Sequence, residues 1–82
     1  MRKLLNVLFV THPDAVVHLD NENVCVKKDA EVLLRIPLLN LEQLVLFNYY
    51  GATPQLLGEC AKRNVSVSFL SEYGQYYGTF HG

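Results

Sequence analysis

Acid–base or metal chemistry in this chain would have to start from three histidines, His12, His18 and His81. None pairs at the HxH, HxxxH or HExxH spacings that bring two imidazoles to one ion. His12 stands two residues before Asp14, close enough for the pair to share a proton in a bent loop. Asp20 and Glu22 offer oxygens to a cation, but a metal site takes more ligands than so short a turn supplies. A solvated loop at 12–14 and a hairpin tip at 20–23 account for both pairs more simply. His81 is set aside as a product of where the sequence stops.

Nucleophilic and phosphate chemistry fares no better. Ser66, Ser68 and Ser71 lack a GxSxG elbow or an SxxK partner. Ser66 and Ser68 read as the polar face of a strand. Cys60 has no histidine near it in sequence and falls at helical spacing with Leu56 and Leu57, the place of a core thiol. Gly51 and Gly58 make no phosphate cradle, because GxGxxG and GxxxxGK are both absent. Tyr73, Tyr76, Tyr77 and Phe80, with Lys62–Arg63, have the chemistry to stack on bases. Packing or interface surface is the preferred reading of those aromatics. No residue is assigned a catalytic, cofactor-binding or metal-ligating role.

Length and composition narrow the function classes further. Eighty-two residues make one domain, 1–82. A domain this small buries only about 60% of the surface its unfolded chain exposes. Half the residues are hydrophobic, enough for a core. Seven Lys plus Arg against eight Asp plus Glu leave a net charge of −1. That balance argues against a strongly basic nucleic-acid module, which needs clustered positive charge for phosphates. Minor contacts through Arg2–Lys3, Lys27–Lys28 or Lys62–Arg63 stay open. Cys25 and Cys60 are far apart and sit in apolar patterns, so they read as buried thiols of a reducing cytosol rather than a disulfide framework. The expected location is therefore cytoplasmic. Leu4–Val10 is too short for the apolar segment of a signal peptide. No apolar run reaches the roughly 18 residues of a membrane span.

The elements that would position these residues follow from patterning. Leu4–Val10 reads as a strand, apolar on both faces except at Asn6, and Pro13 breaks the chain after it. Ala15–Leu19, Val24–Lys27 and Glu31–Ile36 form an antiparallel meander joined by Asp20–Asn23 and Lys28–Ala30. In the last of these strands Val32, Leu34 and Ile36 share one face, and Glu31, Leu33 and Arg35 the other. Pro37 ends it, and Leu38, Leu41 and Leu44 follow at threes. The continuous apolar run Leu44–Tyr50 has the character of a strand buried on both faces. Gly51 and Ala52 turn. Thr53 caps a helix with Pro54 at its first position, running to Arg63, and Asn64 stops it in the left-handed conformation. Val65–Phe69 and Gln75–Phe80 are further strands. Leu4–Val10 and Leu44–Tyr50 both need cover on two faces, yet only one helix is available. Some apolar surface is thus expected at an interface with another chain or a missing domain.

At this point the residues resemble a known family. KLLNVLFVTHPDAVVHLDNENVCV, IPLLNLEQLVLF and GATPQLLGECAKRNVSVSFLSEYGQYYG are similar to the N-terminal region of the CRISPR-associated endonuclease-integrase of spacer acquisition. The likeness runs from Lys3 to Gly78 and looks nearest to subtype I-C members. Its most specific parts are Leu4-Leu5-Asn6 with Val10-Thr11 and Pro13-Asp14, Ile36-Pro37-Leu38 to Asn40-Leu41-Glu42, and Gly51-Ala52 through Ser68-Phe69-Leu70. A departure falls between Phe47 and Gly51, where Asn48 and two tyrosines stand in place of an expected Gly.

The resemblance implies an N-terminal β-domain detached from a larger C-terminal helical domain. In that family the helical domain carries the metal-holding Glu, His and acidic residues, with magnesium or manganese as cofactor, and this chain ends before it begins. The implied role is non-catalytic: homodimerisation, docking of a small ferredoxin-like partner subunit, and framing of a DNA-binding surface, with no membrane contact. The fold class expected is mainly β, within β-rich α+β: a small two-sheet antiparallel domain with one short helix. Two alternatives remain from the residues alone. One is a free-standing β-rich homodimeric protein-binding module. The other is a nucleic-acid-binding module using Lys27–Lys28, Lys62–Arg63 and the terminal tyrosines.

Overall fold

The opening apolar run makes two strands. In the computed structural model, which describes residues 2–4, 6–12, 14–47, 51–71 and 73–80, Arg2–Leu4 (β1) and Val7–Val10 (β2) pair antiparallel. Leu4 stands opposite Val7, and Asn6 lies in the reversal. The single strand expected over 4–10 is therefore a hairpin. Asn6, the polar interruption in that run, marks the turn because Asn tolerates turn backbone well. Its carbonyl accepts from the Glu42 N–H at 2.8 Å, which ties the turn to a later strand.

The meander forms as expected. Val16–Asp20 (β3), Asn23–Lys28 (β4) and Glu31–Pro37 (β5) make an antiparallel three-stranded sheet. Asn21 (φ 57°) and Asp29 (φ 55°) occupy the left-handed positions of its two turns. The alternation expected in β5 is corrected by a bulge. Val26 pairs with Leu34 and Lys27 with Val32, so Leu33 is an extra residue. Leu33, Leu34 and Ile36 all pack on the core, and Val32 turns out to solvent at 45% exposure.

A 3-10 turn at Leu38–Asn40 follows; sequence reading had shown only leucines at threes. Its first N–H donates to the Glu22 carbonyl at 3.0 Å. Gln43–Leu46 (β6), the helix Pro54–Lys62 (α1), Ser66–Leu70 (β7) and Tyr76–Phe80 (β8) complete the order. The helix is bounded as its residues dictate. Thr53 Oγ1 accepts from the Leu56 N–H at 3.3 Å, and Pro54 occupies the first turn. Asn64 (φ 59°) closes the end, with the Val65 N–H on the Cys60 carbonyl at 2.8 Å and the Asn64 N–H on the Ala61 carbonyl. These two bonds satisfy carbonyls that the helix itself leaves free.

Two sheets and one helix stand as expected, but the larger sheet is not wholly antiparallel. Its order is β1-β2-β6-β7-β8, and the pairs β2–β6 and β6–β7 are parallel. Parallel neighbours need a crossover rather than a hairpin. The helix α1 supplies one, between β6 and β7. The whole three-stranded sheet supplies the other, between β2 and β6. The continuous apolar stretch of β6 is the mark of such a central parallel strand: Leu44, Val45 and Leu46 are all buried.

One core lies between the sheets and the helix. Leu8, Val10, Leu44, Leu46 and Val67 from the large sheet meet Val17, Val24 and Val26 from the small one, with Leu56 and Cys60 from α1. Burying Leu56 contributes roughly 1.5–3 kcal/mol. The sheets are stitched together where residue 52 bridges β3: Val17 pairs with Ala52, and the Thr53 N–H donates to the Val17 carbonyl at 3.1 Å. The expected turn at Gly51–Ala52 is thus also a strand-like contact. The departure at 48–50 and the end of the expected strand at 47–50 lie outside the described residues, as do Pro13 and His81.

The expected shortage of cover is eased on one face of the large sheet. Leu8, Val10, Leu44 and Leu46 are buried within this chain, because the second sheet and the helix share one face of the large sheet; Val45, on the other face, is buried as well. Exposed apolar surface lies elsewhere.

Candidate interaction surface

Several of the candidate chemical groups are held in structural contacts rather than gathered into a site. Asp20 accepts from Arg35 at 2.7 Å, and Glu22 from Arg63 at 2.8 Å, so the two carboxylates are held by different guanidiniums. Asp14 is exposed, whereas His12 Nδ1 is buried without a partner. His12 borders an open crevice of about 700 Å³ with Lys28, Asp29, Ala30, Glu31 and Leu33. His18 Nδ1 meets the Leu19 carbonyl, and its Nε2 is likewise buried and unpartnered. Among the described residues, no group of three His, Cys, Asp or Glu side chains stands close enough to hold a metal ion. The described residues therefore form no site for the divalent metal that the resemblance implies for the larger protein.

Cys60 is a core thiol. It is fully buried, and burial first, then the Glu59 charge, pushes its pKa from 9.0 up to about 11. A thiol that holds its proton so firmly is a poor nucleophile. Cys25 is buried too, and neither cysteine forms a disulfide. Ser71 is a turn anchor: its Oγ accepts from the Tyr73 and Gln75 N–H groups at 3.2 and 2.9 Å. Arg63 donates through Nη2 to Glu22 and through Nε to Glu59, and those hydrogen bonds raise its pKa further. This removes Arg63 from the basic pair imagined beside the tyrosines.

Ser68 is not the exposed polar residue that alternation suggested. On the face of the large sheet away from the core, Phe9, Val45, Ser68 and Thr79 stand in one cross-strand row. Ser68 is only 7% exposed. Gln43 Nε2 donates to Ser68 Oγ at 3.1 Å, Ser68 and Thr79 share a bond of 3.0 Å, and Thr79 meets the Tyr76 hydroxyl. The chain of hydroxyls fastens β8 to the sheet and satisfies groups that would otherwise be costly to cover.

What remains open is aromatic. Strand β8 is an edge of the large sheet. Tyr76 and Tyr77 on it are 61% and 55% exposed, Tyr73 in the preceding turn is 90% exposed, and Phe80 is exposed too, at 39%. These four are the aromatics that the sequence marks as packing or interface surface. Val16 and Val32, which flank Lys27 in one row of the small sheet, and Leu39 on the 3-10 turn are exposed as well, and the sequence does not single them out. The row was hidden because the bulge at Leu33 changes which residues of β5 face out.

Comparison with known proteins places this architecture. Residues 8–82 match the family described as CRISPR associated protein Cas1. The chain is 40% identical over 76 residues to CRISPR-associated endonuclease Cas1 1 of Chlorobaculum tepidum, covering 93% of this chain and 22% of that protein. It is 33% identical over 75 residues to CRISPR-associated endonuclease Cas1 3 of Thermus thermophilus, covering 89% and 23%. The chain thus spans less than a quarter of the length of these relatives. Among solved structures, a chain of a partial Cas6-RT-Cas1–Cas2 complex superposes with a TM-score of 0.82 at 23% identity, over 92% of this chain and 23% of the other. A CAS1 protein from Thermotoga maritima gives 0.79 at 15% identity, over 99% and 25%. At those identities the superpositions speak for the fold alone.

Proposed function

Because the chain belongs to the CRISPR-associated Cas1 family, we propose that it serves as the non-catalytic N-terminal scaffold domain of a CRISPR adaptation endonuclease-integrase. The observation that carries this reading is one of coverage. The family match takes in residues 8–82, yet relatives named as endonucleases are more than four times as long. Support also comes from side chains held structurally: Asp20 and Glu22 in ion pairs, Cys25 and Cys60 in the core, Ser68 and Ser71 in hydrogen bonds.

In this reading the parent protein inserts foreign DNA spacers into the CRISPR array in antiviral defence. The reaction class is metal-dependent integration, in which 3′ hydroxyls attack the repeat backbone, and the metal belongs to the part of the parent outside this chain. The β-domain holds two copies together, helps seat a small ferredoxin-like partner subunit and helps frame the DNA. Structural neighbours that come from Cas6-RT-Cas1–Cas2 complexes are consistent with such a protein partner. The likeness to subtype I-C and a cytoplasmic location belong to the same reading. No helix of the described residues is long and apolar enough to cross a membrane.

The test uses the purified 82-residue chain with duplex and forked DNA in magnesium or manganese, followed by sedimentation at rising concentration. The expected result is intact DNA and reversible self-association. Metal-dependent cleavage that co-purifies with the chain would overturn the non-catalytic assignment. A strict monomer at high concentration would overturn the homodimer.

A further inference from the structure

We draw no further inference here: the strongest candidate, the exposed aromatic side chains Tyr73, Tyr76, Tyr77 and Phe80 on and beside the edge strand β8, carries nothing because nothing in the structure shows what covers them.

Discussion

Replacing Gly51 with alanine tests the seam between the two sheets. A Cβ at position 51 would lie 2.6 Å from the Ala15 carbonyl oxygen, a distance that real Cβ atoms do not occupy. The obstructing atom is backbone, so no side chain can swing aside. The backbone around it is pinned, because Ala15 is buried, Val17 pairs with Ala52, and the Thr53 N–H bonds the Val17 carbonyl. Forcing a methyl into such a place costs about 1–3 kcal/mol. Losing the Thr53–Val17 hydrogen bond as the strands part costs about 1 kcal/mol more. The stiffer unfolded chain returns about 0.4–1 kcal/mol. The net expectation for Gly51→Ala is a loss of about 2 kcal/mol, or a fall in melting temperature of roughly 8–16 °C for a domain of this size. Gly58→Ala is the matched control. Gly58 is exposed within α1 and its added Cβ would meet nothing within 4 Å. Relief of glycine's backbone freedom should therefore stabilise by about 0.5–1 kcal/mol. Urea titrations followed by circular dichroism read both. The two substitutions should move the midpoint in opposite directions; an unchanged or raised midpoint for Gly51→Ala would refute the close approach.

Three further outcomes follow from particular contacts. Thr53→Ala removes the cap bond to the Leu56 N–H and should cost about 1 kcal/mol in the same titration, whereas Thr53→Ser should keep most of it. Ser68→Ala removes the acceptor of the half-buried Gln43 Nε2 and the link to Thr79, and should cost about 1 kcal/mol; no change would mean the hydroxyl chain adds nothing. Cys60 should resist iodoacetamide at neutral pH until the chain is unfolded. Its raised pKa also favours the folded state below pH 9, and that contribution should fade between about pH 9 and 11, where the unfolded thiol has lost its proton and the folded one has not. The decline should be absent in Cys60→Ala measured against its own neutral-pH stability.

Sequence patterns revealed local devices far better than long-range ones. Thr53, Pro54 and Asn64 marked both ends of α1, and Asn21 and Asp29 fell where turns needed left-handed backbone. These signals depend on one or two residues and their immediate neighbours. The hairpin at Asn6 was masked because apolar residues on both sides imitated one continuous strand. The bulge at Leu33 left no trace in composition, since any residue type of β5 fits a twofold pattern until its partner strand is known. The parallel order around β6 was present in the text as an unbroken apolar run, but the hairpin-rich neighbourhood drew the reading toward an antiparallel domain. For the site, the tyrosines were legible as exposed aromatics. The capture of Arg63 by Glu22, far away in sequence, was not.

The insertion of an entire sheet between β2 and β6 has a consequence for how the domain assembles. The small sheet consists of two hairpins whose pairing is local, so it can close early and unaided. Strand β2 has no such option. Its parallel partner is Gln43–Leu46, and Val7 must wait for Gln43 while everything between them is arranged. The β1–β2 hairpin, which precedes the other elements in chain order, then spends the longest time with a bare edge. A strand held open in that way is the segment most exposed to wrong pairing, and chain order rather than chemistry makes it so.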